Sequence, residues 1–314
     1  MNGAVGDGVP RVAICTDEPG WHGARLRAAF AARGVDVTYV SLRECRFDLA
    51  GGGDGVVMPG FAGKLPAGVF VRGVPGGTLE QVTFRLGILH ALKALRVPVY
   101  NDARAIECTV DKSMTSFLLA QAGVPTPPTW VTENAAQARA VVQREGAAGR
   151  EVVIKPLFGS QGTGLRRLAA DMDIPGMELY RHVCYLQRYI DSGDGRWHDH
   201  RVFVIAGRAV AAMLRRGASW VNNVAKGGRC ERLELTAELA HLAEAATRAV
   251  GADYAGVDIV RGEDGRLWVI EVNGIPAWKG LQAVTDVDIA AALVDDFLHR
   301  HLDRGVTRAL AAVC

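Results

Sequence analysis

Short apolar runs alternate with amphipathic stretches over the first hundred residues. Runs of strand length recur at residues 11–15, 35–40, 55–58, 69–72 and 97–100. Residues 21–33 and 79–95 repeat apolar side chains at helical spacing and lie between these runs. A β-α-β opening that continues in this way predicts a small parallel α/β domain over residues 1–100.

The pattern changes after residue 100. Residues 102–122 are predicted as one helix stopped by Gly123, and a proline-rich connector follows. From residue 150 onward, short strands and hairpins dominate, with a helix at 237–250 and a final helix at 287–301. This part therefore favours an α+β arrangement, in which an antiparallel sheet carries helices.

Composition narrows the class of protein. The 314 residues are 49% hydrophobic with a net charge of +2, so the whole-chain charge makes no case for nucleic-acid binding. The six cysteines show no C-x-x-C spacing, which indicates reduced thiols rather than disulfides or structural zinc. Because neither a secretory signal nor an apolar run of membrane-spanning length is visible, we expect a cytoplasmic protein without membrane contact.

The first strand-to-helix turn carries information about dinucleotides. A dinucleotide-binding domain would show the pattern G-x-G-x-x-G at this position. Residues 16–20 instead read Thr-Asp-Glu-Pro-Gly, which cannot fill that role. Hydride-transfer chemistry is therefore disfavoured.

Two apolar, β-branched runs at 255–260 and 267–273 flank a turn of Gly-Glu-Asp-Gly, which predicts a β-hairpin. Glu271 and Asn273 are two residues apart and share a face, and Asp258 can join them across the ladder. Three oxygen donors of this kind suit magnesium, which completes its shell with water and substrate phosphate. Solvated charges at the rim of a hairpin are the alternative.

A strand at 152–155 ends in Lys155, and a glycine-rich segment at 159–164 follows it before another apolar run. Glycines allow backbone N–H groups to approach a polyphosphate, and the lysine adds a point charge. No Gly-Lys-Ser/Thr opens a helix here, so a P-loop is excluded and a hairpin lid is expected. An ordinary tight turn with a solvated lysine is the alternative.

Residues 185–190 alternate as a strand and then leave the sheet at a Gly-rich turn. Such a segment can serve as a hinge that reads adenine through main-chain atoms, although plain sheet is the alternative. Further on, His198 and His200 flank Asp199, but no further ligand follows at metal-binding spacing, so a metal cluster is rejected. Asp199 and Arg201 share the opposite face of this strand, and a hairpin returns Arg215 and Arg216 to the same neighbourhood.

Taken together and in order, these motifs resemble the ATP-grasp superfamily, and most closely the RimK-like branch of ribosomal S6-modifying enzymes and amino-acid ligases. The resemblance covers about residues 100–300. It depends on the order Asp111-Lys112, Lys155, the glycine loop, 187–190, Asp199-x-Arg201, Arg215-Arg216, Asn222-Asn223, Gly227-Gly228, 255–258 and 271–273. A weaker resemblance, at 71–73 and 77–85, is to ligases that glutamylate methanopterin-type cofactors.

The resemblance implies an ATP-grasp fold preceded by a small parallel α/β domain. It divides the chain into a pre-ATP-grasp domain (1–100), a central subdomain with a glycine-rich lid (101–185), a C-terminal subdomain with the metal site (186–305) and a tail (306–314). Three sets of residues then receive roles. The nucleotide set is Lys112, Lys155, Gly159, Ser160, Gln161, Gly162, Gly164, Gln187, Arg188, Tyr189, Ile190, Asp199 and Asn222. The metal set is Asp258, Glu271 and Asn273, and the set facing the reacting groups is Arg201, Arg216 and Asn223.

The implied activity is ATP-dependent coupling of an amino acid to a carboxylate that is activated as an acyl phosphate. The implied cofactors are ATP and two magnesium ions, with manganese as a substitute. The implied substrates are L-glutamate and a small-molecule carboxylate such as a methanopterin- or furan-type C1 carrier. The resemblance also implies a homodimer or homotetramer. A ligase for another amino acid or a peptide, and a non-catalytic ATP-binding regulator, are the alternatives.

This sequence departs from the relatives in two places. Val221 stands where the S6-modifying enzymes have an arginine near the nucleotide, and residues 273–280 differ from the usual Asn-Ala-Ser-Pro-Gly run. Trp278 and Lys279 therefore either shape a different acceptor pocket or, for the tryptophan, fill a core.

Overall fold

The computed structural model of the chain describes residues 9–51, 53–159, 162–169, 171–221 and 227–302. The chain forms two compact units. The first comprises the chain up to Arg104, residues 277–279 and the chain from Asp288 onward; the second comprises Ala105–Pro276 and Gly280–Val287. The sequence-based division assigns 186–305 to one subdomain, whereas residues 277–279 and the last helix group with the first unit.

The first unit is built on a parallel sheet. Its elements begin with β1 (Arg11–Cys15), α1 (Gly20–Ala31), β2 (Asp36–Val40), β3 (Arg46–Phe47), β4 (Val56–Val57), β5 (Gly68–Val71), α2 (Leu79–Ala94) and β6 (Val99–Tyr100). The sheet order is β2-β1-β5-β6, and all three pairings are parallel. The predicted parallel domain is confirmed, except that β4 leaves this sheet. It has only two residues and pairs antiparallel with β3 in a separate hairpin.

Local chemistry explains the two long helices of this unit. Thr78 caps α2 through a capping box. The Thr78 hydroxyl accepts from the Gln81 backbone N–H, and the Gln81 side-chain oxygen accepts from the Thr78 backbone N–H. On α1, Leu26 and Phe30 are four residues apart and both fully buried, as expected of one face of an amphipathic helix.

The remaining elements follow in chain order. They are α3 (Ala103–Val110), α4 (Lys112–Gln121), β7 (Thr129–Thr132), α5 (Ala135–Ala147), β8 (Val152–Lys155), β9 (Arg166–Leu168), β10 (Cys184–Arg188), β11 (His198–Ile205), β12 (Arg208–Arg216), β13 (Arg229–Leu233), α6 (Ala237–Ala249), β14 (Tyr254–Arg261), β15 (Leu267–Asn273), α7 (Lys279–Gln282) and α8 (Ile289–Phe297).

The single helix predicted over 102–122 is in fact two helices. Asp111 has extended backbone angles, and its side chain accepts from the amides of Ser113 and Met114. That is N-cap geometry, which ends one helix and begins another at Lys112. The break fixes Lys112 at the first position of α4.

The second unit contains two antiparallel sheets. One has the order β7-β10-β8-β9 and shares a core with α5, and the other has the order β13-β12-β11-β14-β15 and shares a core with α6. The buried face of α6 repeats at helical spacing through Leu239, Ala243, Ala246 and Val250. Because α6 covers one face of the five-stranded sheet, alternate side chains on the other face are left for a site.

Within the described ranges, no helix has the length and apolar character needed to cross a membrane.

Candidate active site

The predicted acidic hairpin is formed by β14 and β15. Asp258 lies directly opposite Glu271, and Gly256 lies opposite Asn273, with an irregularity in the ladder after Asp258. The Asn273 amide nitrogen donates to the Gly256 carbonyl at 3.2 Å. This hydrogen bond occupies the NH₂ end of the amide and leaves its oxygen as the free acceptor. The hairpin thus brings two carboxylates and one amide to one end of the sheet.

Asp258 is the centre of a buried charge network. Arg201 binds both of its oxygens, with Nε and Nη2 each at 2.6 Å, and Arg215 reaches Oδ2 at 2.9 Å. Burial alone would raise the pKa of Asp258, but Arg201 and Arg215 outweigh burial and hold the pKa below its usual value. Asp258 is therefore a carboxylate whose orientation is fixed by two guanidinium groups.

Asp199 belongs to the same network, on the other side of Arg215. Its Oδ1 accepts from Arg215 Nε at 2.6 Å, and only 4% of the residue is exposed. Burial raises the pKa of Asp199 to about 6, against the opposing charge of Arg215. Asp199 thus orients Arg215. Its predicted role at the nucleotide stays a prediction.

The two adjacent arginines of β12 lie on opposite faces of the sheet. Arg215 pairs with Asp199 in the ladder and is 6% exposed. Arg216 pairs with His198, and its Nε binds Glu231 at 2.9 Å in an exposed ion pair. Side chains alternate along a strand, so only Arg215 faces Asp258. The sequence prediction places Arg216 at the reacting groups and omits Arg215.

Lys155 ends β8 and lies in a chain of buried polar groups. Its Nζ donates to Gln187 Oε1 at 2.7 Å, and Gln187 Nε2 donates to Thr129 and to the Tyr185 hydroxyl, each at 3.1 Å. The Tyr185 hydroxyl bonds Ser116 at 2.7 Å. Gln187 is 2% exposed, so it acts within the fold by holding the lysine.

The carboxylate of Glu271 affects the pKa of both lysines that are predicted to bind phosphate. Burial lowers the pKa of Lys155 to about 8, with Glu271 the strongest opposing charge. Burial also lowers the pKa of Lys112, and Glu271 again opposes the shift. The Lys112 Nζ donates to the carbonyls of Leu157 at 3.4 Å and Gly159 at 2.9 Å, so it binds the start of the glycine loop. Two partly desolvated cations and one carboxylate thus share this part of the second unit.

The glycine loop joins β8 to β9 as a hairpin, as predicted. Gly164 has a φ of +76°, and a Cβ there would lie 2.8 Å from Pro156 Cγ, so only glycine fits. Gly159 precedes the part of the loop outside the described residues, and Gly162 lies just after it. The hairpin itself is confirmed, and its role as a lid stays a prediction.

Residues 188–190, the predicted hinge, use two of their three backbone amides within the fold. Arg188 N–H donates to the Pro128 carbonyl and Tyr189 N–H to the Glu151 carbonyl, both at 2.9 Å. The Ile190 amide has no backbone acceptor in the described part of the chain. It is therefore the first hinge amide available to a ligand.

The Arg188 side chain turns away from the hinge to a buried carboxylate. Arg188 Nε and Arg150 Nε donate to Glu145 Oε2 at 2.7 and 2.8 Å. Burial would raise the pKa of Glu145, but the hydrogen bonds from Arg150 and Arg188 lower it to about 2. Arg188 thus anchors β10 to α5.

Some of the remaining predicted residues lie outside the described ranges, and the others differ in burial. Ser160, Gln161, Asn222 and Asn223 lie outside the described residues. Val221 is the last residue described before a gap and is partly exposed. Trp278 is fully buried, which agrees with the interpretation of a packed tryptophan.

The donor set of the hairpin suits a hard cation. Among the described residues no three His, Cys, Asp or Glu side chains form a metal-binding group. The third donor here is the amide oxygen of Asn273, and mixed carboxylate and amide oxygens are typical of Mg²⁺ and Ca²⁺ sites. Asp258 accepts three N–H groups and retains about one of a carboxylate's four acceptor positions. The residues therefore fit a cation that shares its shell with phosphate.

Comparison with known proteins identifies the family. Residues 109–297 match the model of the RimK-like ATP-grasp domain. A relative named tetrahydromethanopterin:alpha-L-glutamate ligase, from Methanococcus maripaludis, is 35% identical over 73% of this chain and 78% of its own length. The chain belongs to the RimK-like ATP-grasp ligases. It is therefore an ATP-dependent enzyme that forms amide bonds.

Other relatives of this ligase extend the match along the chain. A probable alpha-L-glutamate ligase from Trichodesmium erythraeum is 26% identical and covers 94% of this chain and 98% of its own length. Among solved structures, the ATP-grasp ligase PsnB with a variant precursor, Mg and ADP superposes with a TM-score of 0.71 at 22% identity, covering 93% and 98% of the two chains. The RimK domain protein from Sphaerobacter thermophilus gives a TM-score of 0.66 at 20% identity, covering 91% and 98%. These structures establish the ATP-grasp fold.

Proposed function

We propose that this ligase uses ATP and magnesium to join the amino group of L-glutamate to a carboxylate of a small-molecule acceptor. The arrangement of Asp258, Glu271 and Asn273 beside two desolvated lysines carries the proposal. It supplies cation ligands and phosphate partners together. The choice of glutamate is supported by the names of the relatives, and the first acceptor to test is tetrahydromethanopterin.

The reaction has two balanced steps. A carboxylate oxygen of the acceptor attacks the γ-phosphorus of ATP, and the bond to the β,γ-bridging oxygen breaks, giving an acyl phosphate and ADP. The glutamate amine then attacks the acyl carbon, the acyl C–O bond breaks, and phosphate and a proton leave. Positioning and charge neutralisation dominate phosphoryl transfer, so the protein needs no covalent intermediate of its own.

The proposal extends to the residues that would bind the nucleotide. Lys112 and Lys155 bind the phosphates, and the glycine loop closes over them. The hinge at 188–190 reads adenine, with the Ile190 amide as the available donor. Gln187 holds Lys155 in place. Ser160, Gln161 and Asn222 keep their predicted nucleotide roles as part of this proposal.

Asp258, Glu271 and Asn273 would hold magnesium, at up to two positions, with manganese as a substitute. When bound, the cation neutralises charge on the transferred phosphoryl group. Glu271 is the member of the set without an ion-pair partner in the described ranges. It therefore offers both oxygens.

The arginines of the network face the reacting groups. Arg201 and Arg215 are already oriented by Asp258 and Asp199, so they need no reorganisation when negative charge develops on the acyl phosphate. We assign this stabilising role to Arg201 and Arg215 rather than to Arg216, which lies on the other face. Asn223 remains a proposed partner of the same groups.

An endpoint assay tests the proposed reaction. The protein is incubated with Mg²⁺, ATP, L-glutamate and a panel of carboxylate acceptors that begins with tetrahydromethanopterin, and ADP, phosphate and product mass are measured. We expect ADP and a glutamylated product in equal amounts, each dependent on both substrates. Product with another amino acid in place of glutamate would contradict the glutamate assignment. If no acceptor in the panel supports ATP turnover, the proposed class of small-molecule carboxylate acceptors is wrong.

The lowered pKa of Lys155 predicts a pH dependence of nucleotide binding. Its pKa of about 8 means that the free enzyme loses this charge as pH rises through 8, whereas a normal lysine keeps it. If binding needs the charged form, the Kd for Mg·ADP rises about tenfold between pH 7 and pH 9, with proton uptake near pH 8. Calorimetry at pH 7, 8 and 9 measures the change. Lys155→Arg is the control, because arginine stays charged over this pH range and the Kd of the variant for Mg·ADP is expected to vary little. Equal pH profiles in the two proteins would contradict the role of Lys155.

A further inference from the structure

Glu145 is a buried carboxylate that the proposed reaction does not use. It lies near the end of α5 in the second unit and is 2% exposed. Arg188 Nε and Arg150 Nε donate to its Oε2, and Arg150 Nη2 donates to its Oε1 at 3.4 Å. Taking a carboxylate out of water is costly, and removal of a partner from such a buried pair is strongly destabilising. The position of each arginine therefore shows what the carboxylate holds in place.

The two arginines hold different parts of the chain. Arg150 lies five residues after Glu145, its backbone amide donates to the Glu145 carbonyl at 3.0 Å, and 42% of its side chain is exposed. It closes the turn between α5 and β8. Arg188 lies 43 residues after Glu145, at the last position of β10, and 26% of its side chain is exposed. Of these two contacts, the one with Arg188 links α5 to the end of β10.

Side chains alternate along β10 and separate Glu145 from the predicted nucleotide side of the strand. Leu186 belongs to the core shared with α5, and Arg188, two residues further on, lies on the same face. Gln187 and the Lys155 amine that it binds lie on the other face. Glu145 therefore acts on that other face through the backbone of Arg188, not by contact with a ligand there.

The backbone that follows β10 is held on both sides of Ile190. The Tyr189 amide donates to the Glu151 carbonyl, and the Asp191 carbonyl accepts from the Glu263 amide, both at 2.9 Å. A donor that is held in one direction before a ligand binds avoids the entropic cost of being ordered by it. The Ile190 N–H is thus preorganised as a donor.

We propose that Glu145 is a positioning residue for the nucleotide base. Through Arg188 it fixes the end of β10, and with it the direction of the Ile190 N–H, which donates to adenine. Loss of Glu145 or Arg188 then weakens recognition of the base and leaves recognition of the phosphates intact. This inference rests on the proposed role of residues 188–190 as the hinge that reads adenine.

Calorimetry with the full-length protein separates base recognition from phosphate recognition. Mg·ADP, Mg·GDP and Mg·pyrophosphate are titrated into wild type, Glu145→Gln and Arg188→Met, and urea unfolding measures the stability of each protein. We expect both variants to raise the Kd for Mg·ADP about tenfold, the value of one hydrogen bond, and to keep the Kd for Mg·pyrophosphate within about twofold. The preference for ADP over GDP should fall, since guanine presents N1–H where adenine presents an acceptor. Arg188→Lys keeps one charged donor and should recover part of the affinity for Mg·ADP.

Arg150→Met is the matched control, because it removes the other arginine from the same carboxylate. It leaves Arg188 bonded to Glu145, so the Kd for Mg·ADP should stay within about twofold of wild type even where stability falls. Equal weakening by Arg150→Met and Arg188→Met would show that the network serves stability alone and would overturn the positioning role. Equal weakening of Mg·ADP and Mg·pyrophosphate by Arg188→Met would overturn it too. If Glu145→Gln does not fold, the two arginine variants decide.

The titrations need neither glutamate nor an acceptor, so their outcome is independent of the ligation assay. Wild-type protein that binds Mg·ADP and Mg·GDP equally would refute the proposed hinge, and the role of Glu145 with it. Wild-type protein that prefers Mg·ADP, together with unchanged Kd values in Arg188→Met, would overturn the role of Glu145 and leave the proposed hinge standing.

Discussion

Replacement of Glu271 by glutamine is expected to lower kcat about 10³-fold, equivalent to about 4 kcal/mol of transition-state stabilisation. Glu271 faces Asp258 across the ladder, and among carboxylates it most strongly raises the pKa values of Lys112 and Lys155, the two lysines proposed to bind phosphate. Glutamine keeps the shape but loses the charge that binds a cation and balances the lysines. Because Glu271 forms no ion pair in the described ranges, Glu271→Ala should also abolish ADP formation without unfolding the protein.

The control for Glu271 is Glu231→Gln. Glu231 belongs to the same sheet, and its exposed pair with Arg216 lies on the other face. We expect this variant to keep kcat within about twofold of wild type, since exposed ion pairs contribute little. ADP formation by Glu271→Gln at the rate of the control, with circular dichroism showing both folded, would contradict the metal-ligand role.

Replacement of Arg215 by methionine is expected to cost both stability and activity. The variant leaves Asp199 and Asp258 buried with fewer partners, and breaking a buried pair typically costs about 3–5 kcal/mol. The acyl phosphate also loses an oriented donor, so kcat of the folded fraction should fall about 10²-fold. Urea unfolding and initial rates measure the two effects. Arg216→Met is the neighbouring control, with less than about 1 kcal/mol of stability lost.

A second replacement separates the two effects of Arg215. Asp199→Asn in the Arg215→Met background removes one uncompensated buried charge and should recover part of the stability. It supplies no cation, so kcat should stay low. If Arg215→Met and Arg216→Met prove equally stable and equally active, the assignment of Arg215 to the network is wrong.

The acidic hairpin was predictable because strand alternation needs no long-range information. Glu271 and Asn273 are two residues apart, and a short turn brings Asp258 opposite them. The choice between Arg215 and Arg216 was not predictable in this way. It depends on the register of β12 against β11, where an irregularity between Phe203 and Val204 shifts the pairing. A shift of one residue exchanges the two faces, and the sequence does not show it.

Other differences arise from local signals that compete. Asp111 lies inside a continuous helical pattern, yet its side chain caps α4 and divides the helix. Asp111, two residues before a serine, is a possible N-cap and could have suggested the break. The helical periodicity over the surrounding residues outweighs this single local signal. Asp199 binds Arg215, which lies sixteen residues further along the chain. The spacing of the two residues in the sequence does not show this contact, whereas the strand pairing and the burial in the structure do.

The proposed reaction activates the acceptor carboxylate by phosphorylation. Labelling both oxygens of that carboxylate with ¹⁸O, and measuring by mass spectrometry the phosphate released during ligation, follows this step. When the amine displaces phosphate from an acyl phosphate, the bridging oxygen leaves with the phosphate, so we expect one ¹⁸O atom in the phosphate for each amide formed. Unlabelled phosphate with ADP, or the release of AMP and pyrophosphate, would contradict it.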